Sequence, residues 1–300
     1  MSAHAIHHVT AVTAQIGQNL EYYTKVLGLR LVKRSVNQDD VSAYHLFYAD
    51  GAGSPGTDMT FFDWPMIGGN VPGAGTIALT SFRAPSGSLD WWEARLADAE
   101  SMPLREEGSI LFADPEGQRL ELVEDDLPTN AVAWTKSVPQ EFALKGILGV
   151  DLDSLIPRRT YEVLTEILGF REEGNDLVVR DEARVGRVRL LEPSNRRGRV
   201  GAGGVHHVAF RVKDDEELNA LQERIESAGL QTSGFVDRFY FHSLYFREPG
   251  GILFEMATDG PGFASDEDAE SLGERLALPP FLEPQRKRIE EGLKPLPYVS

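Results

Sequence analysis

Ile6-His7-His8-Val9 and Val205-His206-His207-Val208 are two copies of one short run, placed near opposite ends of a 300-residue chain. Each copy lies in an alternating segment that predicts a β-strand. Four of the seven histidines of the chain belong to these two pairs. Because repetition of this kind indicates internal duplication, we expect the two segments to occupy equivalent places in a duplicated fold.

Each pair is followed by a predicted helix, and two weaker copies of that helix lie between them. Their apolar residues repeat with helical spacing: Leu20, Tyr23 and Leu27; Leu89, Trp92 and Leu96; Tyr161, Leu164 and Leu168; Leu218, Leu221 and Ile225. After each helix the period changes from 3.6 to 2, which predicts strands. The sequence therefore predicts an α+β fold of four βαβββ units, at residues 4–65, 73–127, 142–193 and 203–259. Residues 264–300 are predicted to form a helical strap on the body.

Composition excludes several classes of function. The net charge is −17 and the pI is about 4.8, so neither a nucleic acid nor an anionic membrane is an expected partner. The chain has no cysteine, and any metal must therefore bind nitrogen and oxygen ligands. No leader-like or membrane-spanning segment is apparent, which makes the cytosol the expected compartment.

Strand alternation selects one histidine from each pair. His206 shares its face with an apolar set that we expect to lie against the helix, namely Val208, Phe210 and Val212. His207 is then predicted to face the open side of the sheet, and the same reasoning, with weaker contrast, selects His8. Glu255 lies opposite the apolar face of the last strand and should point with His207. A lone histidine is more often a hydrogen-bonded core residue, but duplication favours a metal site over that interpretation.

The repeated units resemble the vicinal-oxygen-chelate superfamily, which contains glyoxalases, bleomycin-resistance proteins and extradiol dioxygenases. The likeness is strongest to hydroquinone dioxygenases, covers essentially the whole chain and lies in residues 6–10, 27–33, 204–208 and 237–255. It implies that paired units form cup-shaped half-barrels. If unit one pairs with unit four, one cup holds His8, His207 and Glu255, the facial triad of non-haem Fe(II), although Mn(II) is also possible. Units two and three then form a metal-free cup, in which Glu121 would be a relic.

The resemblance also implies an activity, which is Fe(II)-dependent insertion of O2 into a hydroquinone- or catechol-type ring. It places Arg238 and Tyr245 near the substrate, and Thr10, His7 and His206 beside the metal ligands. Two alternatives stay open: a glyoxalase-like lyase or isomerase using Ni or Zn, and a non-catalytic protein that sequesters small molecules. A glyoxalase needs a fourth ligand near residues 59–61, where no carboxylate aligns. The ring substituents, the para or ortho pattern and a homo-oligomeric state are left open.

Overall fold

Four successive segments of the chain each fold as a strand, a helix and three further strands. The computed structural model describes residues 2–181 and 184–297, so residues 182–183 of the predicted third unit and 298–300 of the predicted strap lie outside the described residues. The first segment contains β1 (Ile6–Thr13), α1 (Ile16–Glu21), β2 (Arg30–Val36), β3 (Tyr44–Ala49) and β4 (Asp58–Asp63). The second contains β5 (Thr76–Ala84), α2 (Leu89–Asp98), β6 (Leu104–Glu106), β7 (Ser109–Ala113) and β8 (Arg119–Glu124).

The third and fourth segments repeat this order. The third contains β9 (Ile147–Asp153), α3 (Pro157–Glu162), β10 (Arg171–Glu173), β11 (Asp176–Asp181) and β12 (Arg184–Leu190). The fourth contains β13 (Gly204–Val212), α4 (Asp215–Ser227), β14 (Val236–Asp237), β15 (Phe241–Arg247) and β16 (Leu253–Pro261). Helices α1 and α3 continue into π-helical turns at Tyr22–Val26 and Val163–Ile167. The apolar stripes predicted from spacing are buried on the helices, as Leu20, Trp92, Leu164 and Leu221 show, except that Tyr161 is only partly buried.

Strand pairing joins the ends of the chain. In each segment the first strand runs parallel to the last, and the first strands pair antiparallel as β1 with β13 and β5 with β9. One half-barrel therefore combines the first and fourth segments, and the other combines the second and third. A single bridge between Val205 and Ile77 connects them into one sheet. The predicted fold class is confirmed, while the unit boundaries given above remain our proposal.

The C-terminal tail packs along the outer edge of the first half-barrel. The fully buried ammonium of Lys33 on β2 forms ion pairs with Asp266 and Glu267 of the tail. Leu276 forms a bridge with Arg34, and helix α5 (Arg286–Gly292) lies farther along the tail. Because these contacts cover the free edge of β2, they protect it from pairing with other chains.

Two β-bulges interrupt the pairing of β1 with β13. The register skips one residue at His7 on β1 and one at His206 on β13. A bulge breaks the alternation of side chains and re-aims the extra residue. The expectation that His206 lies against the helix with Val208 is therefore wrong, since its ring is partly exposed and lines a cavity in the first half-barrel.

Candidate metal centre

Three adjacent strands bring His8, His207 and Glu255 to one point. β1 carries His8, β13 carries His207 and β16 carries Glu255, with Ala209 of β13 aligned with both His8 and Glu255. The two Nε2 atoms are 3.3 Å apart, and Glu255 Oε2 lies 3.2 Å from that of His8 and 2.8 Å from that of His207. All three side chains are buried. Among the described residues, they form a cluster of the kind that could hold a metal ion.

The spacing of these three atoms fits a shared cation. Ligand bonds of about 2.1 Å at right angles would separate neighbouring ligand atoms by about 3.0 Å, close to the observed distances. Glu255 Oε2 is buried without a correctly directed hydrogen bond, although both imidazole nitrogens approach it. Burial alone would raise the pKa of Glu255, but the two adjacent imidazoles hold that pKa well below its usual range. An ionised carboxylate and two imidazole nitrogens thus converge on one point, where a cation could bind all three.

His7 determines which nitrogen of His8 is free. Its Nε2 lies 3.1 Å from the carbonyl oxygen of Thr258, which can only accept a hydrogen bond, so this nitrogen carries a proton. Burial lowers the pKa of His7 to about 3, which leaves the ring neutral and its Nδ1 an acceptor. That Nδ1 lies 2.9 Å from Nδ1 of His8, which must therefore donate. In the neutral ring of His8 the lone pair is then on Nε2, the nitrogen that lies beside Glu255 and that a metal ion would bind.

His206 orients His207 in the same way. The two Nδ1 atoms are 2.8 Å apart, and burial lowers the pKa of His206 to about 3. If Nε2 of His207 faces the centre as a lone pair, its Nδ1 donates to His206, whose own Nε2 carries a proton. That N–H belongs to a ring that packs edge-on against Phe62 and Trp64 in the cavity. In that arrangement His206 fixes the orientation of the His207 ring and presents an N–H group to the cavity.

Ser243 fixes the carboxylate and was missed by the sequence reasoning. Its hydroxyl donates to Glu255 Oε1 at 2.5 Å, which leaves Oε2 directed at the two histidines. Ser243 is fully buried on β15 and pairs with Ala257, beside the pair of Tyr245 with Glu255. A signal in the sequence could have identified it. Glu255 lies in a predicted hairpin, and alternation on the partner strand β15 places Ser243 on the same face as Tyr245.

The centre opens into a cavity of about 310 Å³ with mainly apolar walls. Six aromatic side chains line it: Phe47, Phe62, Trp64, Tyr240, Phe241 and Tyr245. Phe241 packs on the rings of both His7 and His8 at 5.2 and 5.3 Å between ring centres. Such walls are suited to a flat apolar ligand with few polar groups.

Arg238 and Tyr245 meet at one wall of this cavity. The guanidinium donates to the Tyr245 hydroxyl at 3.2 Å and forms an ion pair with exposed Asp39 at 3.1 Å. Burial raises the pKa of Tyr245, whose ring stands edge-on to His207 at 5.9 Å. Burial therefore keeps the phenol protonated, and because the hydrogen bond from Arg238 uses only its oxygen as an acceptor, the hydroxyl proton is available for donation into the cavity.

Comparisons with known proteins identify the family of the chain. The family model described as the Glyoxalase/Bleomycin resistance protein/Dioxygenase superfamily matches residues 5–130 and 145–256. The chain belongs to this superfamily. It is 43% identical to MhqA of Bacillus subtilis, provisionally named a ring-cleaving dioxygenase, over 99% of this chain and 100% of that protein. It is 32% identical to the chlorohydroquinone/hydroquinone 1,2-dioxygenase of Sphingobium indicum, over 93% of this chain and 92% of that protein.

A solved structure extends the likeness. The crystal structure of a Bacillus subtilis protein provisionally described as a dioxygenase superposes with a TM-score of 0.91 at 40% identity, covering 100% of this chain and 99% of that chain. The likeness to this structure thus extends beyond the residues that the family model matches. Among the described residues, no helix has the length and apolar character to cross a membrane.

Thr60 occupies the place where glyoxalases of this superfamily are expected to carry a fourth ligand. It pairs with Thr10 on β1, as Glu255 pairs with Ala209 on β13. Its hydroxyl lies 2.8 Å from the Thr10 hydroxyl, and Thr10 itself lines the cavity. A neutral hydroxyl in a hydrogen bond is a poor ligand compared with a carboxylate, so the first half-barrel offers three ligands rather than four.

In the second half-barrel an arginine side chain lies beside the buried carboxylate, where the first half-barrel would hold a metal ion. Glu121 is buried, accepts from Ser81 at 2.6 Å and lies 3.2 Å from the Arg187 guanidinium. Arg187 also lies 3.6 Å from Asp151. Glu121, predicted as a relic without a metal, is thus neutralised by an arginine, which explains its retention in a buried place.

Proposed function

We propose that the protein is an Fe(II)-dependent ring-cleaving dioxygenase that inserts both atoms of O2 into a hydroquinone- or catechol-type aromatic compound. One observation carries the proposal: three ligand atoms converge on one side of a point whose other side opens into an aromatic-lined cavity. A cavity of about 150 Å³ accommodates benzene, so one of about 310 Å³ has room for a substituted ring.

His8, His207 and Glu255 would hold the metal, Fe(II) in the first place and Mn(II) as the other candidate. Fe(II) held there would supply the redox chemistry that allows electrons to pass from the substrate to O2. Three protein ligands suit this chemistry, because they would leave more coordination positions to the two reactants than four ligands would. The hydroxyl of Thr60, in place of a carboxylate as the fourth ligand, argues against a glyoxalase.

The side chains around the cavity would bind and orient the substrate and donate protons to it. Phe241 and the other aromatic walls exclude water and hold the ring flat beside the ligands. Tyr245 donates the proton of its hydroxyl toward an oxygen of the substrate, and Arg238 holds that phenol in place while adding positive charge. His206 presents its Nε2 proton to the same space. Thr10, whose hydroxyl is hydrogen-bonded to that of Thr60, supplies a further hydroxyl at the cavity wall formed by β1.

The test is oxygen consumption after anaerobic loading with Fe(II). We expect uptake of one O2 per aromatic molecule with hydroquinone or catechol, and no uptake by His8→Ala. Glu121→Gln is the matched control, since it alters the equivalent carboxylate of the other half-barrel and should leave uptake in place. If the loaded protein binds iron but consumes no oxygen with any diphenol, the proposed function is wrong.

A further inference from the structure

His45 is a cavity residue without a role in the arrangement described so far. It lies on β3, and its ring is held between Phe47 and Phe62 at 3.9 and 4.4 Å between ring centres. Its Nε2 lies 3.0 Å from the Thr60 hydroxyl. Within the part of the chain that the structure describes, Nδ1 has no hydrogen-bond partner, and the ring is partly exposed toward the cavity. Aromatic contacts and one hydrogen bond thus fix a nitrogen that remains free for a ligand.

The hydrogen bond to Thr60 continues to the wall that carries the metal ligands. Thr60 contacts Thr10 on β1, so His45, Thr60 and Thr10 form a chain whose two ends both line the cavity. The residue that replaces a fourth metal ligand therefore positions His45 instead. This connection gives a specific reason for the threonine at that place.

We propose that His45 is the second anchor of the substrate, and that its Nδ1 hydrogen-bonds to the ring hydroxyl that the metal centre does not hold. The proposal rests on the proposed function and narrows its substrate class. Strand β4 separates β3 from β1, and His45 aligns through Phe62 with Val12 of β1 rather than with His8, so the backbones bearing His45 and His8 are farther apart than the two strand spacings of about 10 Å. A 1,4-dihydroxybenzene carries its oxygens at opposite ends of the ring and can reach both walls. The adjacent oxygens of a catechol both point toward one wall.

The electrostatic surroundings keep His45 suitable for this contact. Burial lowers the pKa of His45 well below its usual value, and His8, His207 and Arg238 lower it further while Glu255 opposes them. The ring is therefore neutral near pH 7. A neutral imidazole can accept a hydrogen bond from a phenol, whereas a protonated one could only donate.

Binding of hydroquinone and of phenol tests the anchor, because the two ligands differ in the second hydroxyl alone. With the Fe(II)-loaded protein under anaerobic conditions, calorimetry should show hydroquinone bound roughly fivefold to tenfold more tightly than phenol. His45→Phe, which preserves the ring packing, should reduce this ratio to about one. In oxygen-uptake assays the same variant should raise KM for hydroquinone more than it lowers kcat.

Two further variants separate the contact from a structural role of the ring. His45→Asn keeps a polar atom near the place of Nδ1 and should preserve the preference for hydroquinone. His45→Gln keeps one near the place of Nε2, toward Thr60, and should lose the preference. Iron content and the melting temperature report whether each variant folds, and if His45→Phe does not fold, the Asn and Gln pair decides. A ratio that stays at the wild-type value in His45→Phe and His45→Gln would overturn the assignment.

The outcome remains separate from that of the proposed function. Oxygen uptake by the wild-type protein tests the dioxygenase, whereas the binding ratio tests His45. Uptake together with an unchanged ratio in His45→Phe overturns only the second anchor. Absence of uptake together with a ratio that depends on His45 overturns only the dioxygenase.

Discussion

Removing the Ser243 hydroxyl should weaken metal binding without removing a metal ligand. Ser243 donates to Glu255 Oε1 at 2.5 Å, and both side chains are fully buried. In Ser243→Ala this carboxylate oxygen loses its donor, and the carboxylate can rotate away from His8 and His207. A hydrogen bond to a charged group contributes about 1.5–3 kcal/mol. Converted to an equilibrium constant, that is a loss of roughly 10- to 100-fold in affinity for Fe(II), in the range known for groups that orient metal ligands.

The measurement is a competition titration with a chelator of known affinity, performed anaerobically on both proteins. Ser81→Ala is the matched control, because Ser81 donates to Glu121 at 2.6 Å in the other half-barrel. It removes the same kind of bond from the same kind of carboxylate. We expect its affinity for Fe(II) to equal that of the wild type. Equal affinities in all three proteins, or an equal loss in both variants, would refute the role given to Ser243.

Three further predictions concern the two half-barrels and the cavity. His8→Ala should lose bound iron, whereas Glu121→Ala should retain it but unfold more easily, because breaking a buried ion pair with Arg187 costs about 3–5 kcal/mol. Metal analysis measures the bound iron, and denaturant unfolding measures the stability. Loss of iron from Glu121→Ala would contradict the assignment of the metal site to the first half-barrel. Burial raises the pKa of Asp151 to about 6 from 3.8, so its contribution to stability is full below about pH 4 and is lost as the pH rises through about 6. Between pH 4 and pH 7 the unfolding free energy of the wild type should therefore fall by up to about 3 kcal/mol relative to that of Asp151→Asn. If the difference between the two proteins is the same at both pH values, the pKa of Asp151 is not raised by burial. Tyr245→Phe should keep its iron and lower kcat about 100-fold, since it removes one preorganised donor; unchanged kcat in oxygen uptake would show that the phenol is not used.

Much of the fold followed from local patterns in the sequence. Helical stripes such as Leu218, Leu221 and Ile225 are buried as expected, because amphipathic spacing depends only on neighbours along the chain. The duplicated histidine pairs marked the equivalent strands β1 and β13. Glu255 was selected by alternation within a regular strand, and the structure places it beside His8 and His207.

Other features depended on contacts between distant strands. The place of His206 in the cavity comes from a bulge in the pairing of β1 with β13, and alternation within one strand cannot reveal a register skip against another. Ser243 and His45 are positioned by hydrogen bonds to Glu255 and Thr60, which lie on neighbouring strands. His45 drew no attention in the sequence because it lies outside the repeated motifs.

The amino-acid sequence by itself determined that four similar units exist and which side chains are chemically able to bind a cation. Tertiary structure decided that the first strand of the chain pairs with the first strand of the last repeat, and so which of those side chains share a cavity. The physical reason is that periodicity records only the solvent exposure of each residue. Coordination and substrate contacts require several atoms within a few ångströms, and long-range strand pairing alone supplies that proximity.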